Sequence, residues 1–195
     1  MKATVFGGVI LAGMLAAVLP SQGAEEKNAT AAEQERTMKI VQGDLSAATT
    51  EIERFCALNR AAKNALKAGK TAEARKLADE LALLAPKYPN DWNYGNAIQD
   101  ANQVLGRIAL AAGNVAEAKK RLLASADNKG SPQMNSFGPN MQLAKDLLAK
   151  GEKDVVLEYF TRCGRFWKMG AERLAAWTAA VKKGETPEFG ANLEY

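Results

Sequence analysis

Cys56 and Cys163 are the strongest nucleophiles in this 195-residue sequence, and no histidine is present to activate either. Without an imidazole, Ser-His-Asp and Cys-His catalysis are excluded, as are His-ligated zinc and haem and any imidazole acid–base step. The two cysteines stand far apart and form no Cys-x-x-Cys pair. Carboxylates occur as adjacent pairs, Glu25-Glu26 and Asp79-Glu80. Sequence neighbours do not face each other on a helix, so neither pair suits general acid–base work. No glycine-rich phosphate loop accompanies them. The sequence predicts no enzyme and no cofactor or metal.

A second set of residues suits contact rather than covalent chemistry. Phe137-Gly138-Pro139-Asn140-Met141 and Phe189-Gly190-Ala191-Asn192-Leu193 are copies of one tract, Phe-Gly-x-Asn followed by an apolar residue. Glycine permits a positive backbone angle, and phenylalanine can staple the turn onto helices. Phe137, Asn140, Phe189 and Asn192 are therefore secondary candidates. They are either turn residues with a packed ring, or two loops lining a pocket with Trp92, Tyr94 and Met134.

The elements that must position these residues are helical. Lys2, the apolar run Val5 to Leu19, Pro20 and the small residues Ser21-Gln22-Gly23 read as a secretory leader over 1–23, cleaved before Ala24. The run is shorter than the roughly 20 residues of a membrane span. The mature chain is expected in the periplasm or outside the cell, with no membrane span. A net charge of +4, one cation of which is Lys2 in the leader, is too mild to predict nucleic-acid binding. Residues 24–43 read as a flexible segment, disordered over 24–30 and then a weak helix ended by Gly43. Over 44–183, apolar and small residues recur at helical spacing: Leu45, Ala48, Ile52 and Phe55 with Asp44 as N-cap, then Leu77, Leu81 and Leu84 behind a Thr71 cap, up to Pro86. Further helices are expected at about 96–112, 115–126, 139–150, 153–168 and 172–183, with a loop over 127–138 and a tail over 184–195. Trp167, Trp177, Phe160 and Phe166 read as core. Strand-type alternation is lacking, so the chain is predicted all-α.

The runs are punctuated by Gly69, Gly113 and Gly151. Leu105-Gly106, Gly113 and Ala118, together with Gly69, Ala74 and Pro86, resemble the tetratricopeptide repeat. The third unit, with Leu143, Ala144, Leu147 and Gly151, is weaker, and Ala109 and Val115 stand where that family has aromatic residues. The resemblance implies a short TPR-like α-solenoid of about three helix pairs plus a C-terminal capping helix carrying Leu174 and Trp177. Such arrays hold extended peptides on the face lined by the first helix of each pair. The groove positions it implies are Lys63, Arg107 and Lys145, six residues before each glycine, with Asn59, Gln103 and Met141 four further back. Cations beside the amides of Asn59 and Gln103 would satisfy a carboxylate's lone pairs, so an acidic peptide or a C-terminal carboxylate is the implied partner. In a lysine-rich chain the same residues also suit ordinary solvated helix positions. Repeat spacing places Cys56 and Cys163 too far apart for a disulfide. The functional expectation is an exported binding module, scaffold or adaptor; the alternative is a structural subunit of a larger envelope assembly.

Exported protein should carry Ala24 as its first residue. N-terminal sequencing of material from outside the cytoplasm checks this, and recovery of Met1 or Lys2 there would refute the leader.

Overall fold

The structure, a computed structural model, describes residues 22–194, with side chains from residue 31. The expected leader therefore lies outside the described residues except for its last two positions, as does Tyr195. Two compact units are distinguished, one ending at Glu35 and one beginning at Arg36. In the first, residues 22–35 belong to helix α1 (Gln22–Val41), which continues into the second. The disorder expected over 24–30 is thus replaced by helix. Neither glycine nor proline interrupts Ala24 to Val41, and good helix formers fill most of it.

The second unit contains α2 (Glu51–Lys67), α3 (Thr71–Leu84), α4 (Tyr94–Ala111), α5 (Val115–Ser125), α6 (Pro132–Phe137), α7 (Gln142–Leu148), α8 (Lys153–Cys163) and α9 (Ala171–Lys183). The described residues contain no strand, and the fold is all-α.

Gly69, Gly113 and Gly151 join α2 to α3, α4 to α5 and α7 to α8, with φ of 74°, 80° and 82°. The hydrogen bonding is the same at all three. Each glycine N–H donates to the carbonyl three residues back (Leu66, Leu110, Leu148), and the next N–H to the carbonyl five back (Ala65, Ala109, Leu147). The N–H after that returns to the glycine carbonyl. This double bond onto the last helical turn satisfies carbonyls that the helix leaves free, and it needs a left-handed residue at the glycine.

Two start signals fall elsewhere than expected. Helix α2 begins at Glu51, not after Asp44, because Thr50 and Glu53 form a reciprocal capping box. The backbone N–H and hydroxyl of Thr49 also donate to Glu53, holding its carboxyl down at about 2. Asp44 is used in a local turn, accepting from the N–H and hydroxyl of Ser46. Thr71 is the first residue of α3 and makes no cap; Lys70 precedes it. The loop expected over 127–138 contains α6, opened by a Ser131 side-chain cap with Pro132 in the first turn. Pro139 lies before α7 rather than inside it.

Helix α2 packs on α3 and α4, and α3 on α4; α4 packs on α5 and α7, α5 on α7 and α8, and α8 on α9. One core cluster gathers Phe55, Leu58, Leu81, Val104 and their neighbours; a second gathers Leu122, Leu143, Tyr159, Phe160, Trp167 and Trp177. Small residues set the spacing. Ala62, Ala74, Ala118 and Ala144 are fully buried, and a Cβ on Gly106 would run into Leu143 of α7 and Arg121 of α5. Cys56 and Cys163 are both free thiols.

Gly113→Ala should lower stability by about 1 kcal/mol, because the site is open and only the left-handed strain is paid. Gly113→Asn should cost less. Urea unfolding checks both, and an alanine variant as stable as the parent would contradict the turn assignment.

Candidate functional site

Along α2, Arg60, Lys63, Asn64 and Lys67 follow the i, i+3, i+4, i+7 spacing that puts side chains on one face. Gln103 and Arg107 do the same on α4, which packs beside it. These two faces line one cavity of about 470 Å³. Its remaining wall comes from Asn140 and Gln142 at the start of α7 and from Leu193 and Glu194 of the tail, while Leu66 and Val104 add an apolar part.

The four cations differ in how far their charge is already used. Lys63 Nζ lies 2.9 Å from Asp100, a buried carboxylate that also accepts from Asn59. Arg107 gives its Nε to Asp146 at 3.0 Å, which leaves the rest of its guanidinium fork. Arg60 and Lys67 have no ion pair among the described residues and are exposed. Against these stands Glu194 on the tail. The cavity is therefore net positive, and its least compensated charges are Arg60 and Lys67, which are not among the expected groove positions. Their signal was present in the i, i+7 spacing along α2.

Of the six groove positions expected, Lys63, Gln103 and Arg107 line the cavity and Asn59, Met141 and Lys145 do not. The amides do different work from that expected of them. Asn59 is buried, donating to Asp100 and accepting from Asn93 at 2.7 Å. Gln103 is 4% exposed. Its amide nitrogen lies within hydrogen-bond reach of Asn140 O, Ser125 Oγ and Tyr159 Oη, and its oxygen accepts from the Leu143 N–H. Gln99 accepts from the Asn140 N–H, and Tyr159 Oη donates to Asn140 O at 2.7 Å. Both glutamines thus anchor the backbone that leads into α7. Lys145 is exposed on that helix, and Met141, expected in the groove, is fully buried beneath the tail. Helix α7 is much shorter than α2 and α4, so its face does not extend theirs.

The two Phe-Gly-x-Asn tracts meet. Asn192 is buried and donates to Phe137 O and Pro139 O, accepts from Arg173, and receives the Met141 N–H on its own carbonyl at 2.8 Å. Gly138 holds φ at 95°, and a Cβ there would strike Trp167 and Asn192. Phe189 packs edge-on against Trp177 with ring centres 5.0 Å apart, whereas Phe137 is exposed. Asn140 lines the cavity, but Trp92, Tyr94 and Met134 do not; Met134 is buried in the core. Equal sequences take unequal shapes here. The second tract is a 3₁₀ turn, Gly190–Leu193, and the first runs from the last residue of α6 into an irregular segment that the second grips.

Neither thiol is a poised nucleophile. Burial pushes Cys56 up to about 11, aided by Asp91 and Glu53, and pushes the fully buried Cys163 higher still. Both are protonated at neutral pH. Burial likewise raises Tyr159, with Cys163 beside it.

No protein-family model, curated protein or solved structure matches the chain. The site's chemistry is read from its own residues.

Asn192→Ala would leave Phe137 O and Pro139 O without their donor and should lower stability by about 2 kcal/mol. Asn192→Asp should do at least as much harm, since a carboxylate cannot donate to a carbonyl. Urea titration of the three proteins checks this; an aspartate variant more stable than the alanine one would contradict the role.

Proposed function

We propose that this chain is an exported binding module, built as a short tetratricopeptide-like array, that holds an acidic peptide or protein segment in the cell envelope. The observation that carries the reading is one net-positive cavity whose lining brings together Lys63 of the first glycine-punctuated unit with Gln103 and Arg107 of the second. The thrice-repeated glycine turn and the packing of each helix pair on the next support the array. A carboxylate entering this cavity exchanges water for the free part of the Arg107 fork and the ammonium groups of Lys63 and Lys67, giving charge-assisted bonds. Among the described residues no helix is long and apolar enough to cross a membrane. A structural-subunit reading rests on the exposed apolar side chains Leu83 and Met169; an obligate oligomer in solution would favour it over the binding module.

Arg107→Ala should weaken binding of an acidic peptide about tenfold. It should barely change stability, because its ion pair is partly solvated and such pairs contribute about 1 kcal/mol or less. Binding should weaken as salt rises. Fluorescence anisotropy at two ionic strengths checks both effects; affinity indifferent to the substitution and to salt would refute the basic cavity as the site.

A further inference from the structure

The tail is held as a separate peptide would be. Phe189 is 2% exposed, its ring edge-on to Trp177 and Phe160 with ring centres 5.0 and 6.2 Å away. Three residues on, Asn192 is 1% exposed and uses its whole amide. Its nitrogen donates to the Phe137 and Pro139 carbonyls, and its oxygen accepts from Arg173. The tail backbone adds two bonds: Glu188 O accepts from the Trp177 indole and Asn192 O from the Met141 N–H. A single 3₁₀ turn brings both anchors to one side. All these contacts run from the tail to α8, α9 or the chain from Phe137 to Met141. A tail of the same sequence from another copy would make every one of them.

The connection to α9 favours such an exchange. Gly184 ends that helix with φ at 87°, and the chain then turns back to Trp177. Trp177 stands seven residues before Gly184, about 10 Å of helical rise. Long side chains on a helix lean towards its N-terminus, so the indole does not shorten the return. Four residue steps lead from Gly184 to Glu188, and they span at most about 14 Å. Little slack remains. A tether gives a tail the advantage of high local concentration, and one that barely spans its sites gives much of that advantage up. Short hinges of this kind invite exchange between copies.

We propose that the groove between α8, α9 and the segment before α7 is a binding site for a Phe-x-x-Asn tract, and that it takes this tract from a second copy of the chain as well as from its own tail. The two residues after Asn192 line the basic cavity. With tails exchanged, each copy supplies Leu193 and Glu194 to the cavity of the other, and the cavity wall is shared between copies. The exchange does not depend on what the cavity binds.

Deleting Thr186 and Pro187 leaves two steps between Gly184 and Glu188, a reach of about 7 Å, which is too short for the tail to enter its own groove. The shortened chain should be a dimer by light scattering, and adding Asn192→Ala should return it to a monomer. A shortened chain that is monomeric with native helix content, or a dimer that persists with Asn192→Ala, would overturn the exchange. If the shortened chain does not fold, a peptide decides. Full-length Asn192→Ala, whose own tail has lost one anchor, should bind a labelled peptide of residues 185–194. Aspartate in place of the peptide's asparagine should weaken that binding about tenfold or more, because a carboxylate cannot donate to the two carbonyls. At the basic cavity the added charge would strengthen binding instead, so the sign tells the two sites apart. No binding, equal affinity or tighter binding of the aspartate peptide would overturn the groove as a site. A monomer that still binds an acidic peptide in a salt-dependent way would leave the proposed function standing and remove only this inference.

Discussion

A buried amide must find its hydrogen bonds inside the protein, and α4 puts two of them, Gln99 and Gln103, into the interior. They find backbone. Asn140 and Leu143 are held by those glutamines, with Tyr159 reaching across from α8 to the same carbonyl. The irregular segment between α6 and α7 is thereby fixed against α4. On that segment the tail closes, and on its end stand two residues of the cavity wall. Removing one amide would leave several buried groups unpaired at once, each costing about 1–3 kcal/mol. The site is therefore supported less by its own charges than by neutral groups one layer beneath them.

The charges follow a related logic. Asp100 is a buried carboxylate, and a buried charge is tolerated when it is paired and hydrogen-bonded. Lys63 and Asn59 supply both needs. The consequence is that Lys63 is held in place and its field partly spent, while Arg60 and Lys67 on the same helical face are exposed and without an ion pair among the described residues. One fixed cation and two unpaired ones thus share a single helical face.

What the sequence made legible was whatever depends on local backbone chemistry. The three turn glycines fall between paired helices because only a left-handed residue completes that double hydrogen bond. Pro86 follows the end of α3, and the buried aromatic residues of α8 and α9 lie where helical spacing puts them. The start of α2 was open to a sharper reading, since Thr50-x-x-Glu53 is a capping box written in the sequence; Asp44 was merely an acceptable cap. Gln103 and Asn59 could not have been sorted by spacing. An amide on a helix looks the same whether it points to water or to a neighbouring backbone, and only the arrival of residues from 40 positions away decides it. The convergence of the two Phe-Gly-x-Asn tracts was visible as repetition. Their unequal conformations were not, because one grips the other.

The clasp at Asn192 also sets an order of assembly. The first two helix pairs depend on contacts between near neighbours in the chain and can form as soon as they are made. The segment before α7 is different, since its carbonyls wait for an amide more than 50 residues downstream. Until synthesis reaches Asn192, the Phe137 and Pro139 carbonyls lack this donor, although Gln99, Gln103 and Tyr159 already hold Asn140. Among the described elements the tail is thus the last to lock, onto a segment that α4 has already positioned.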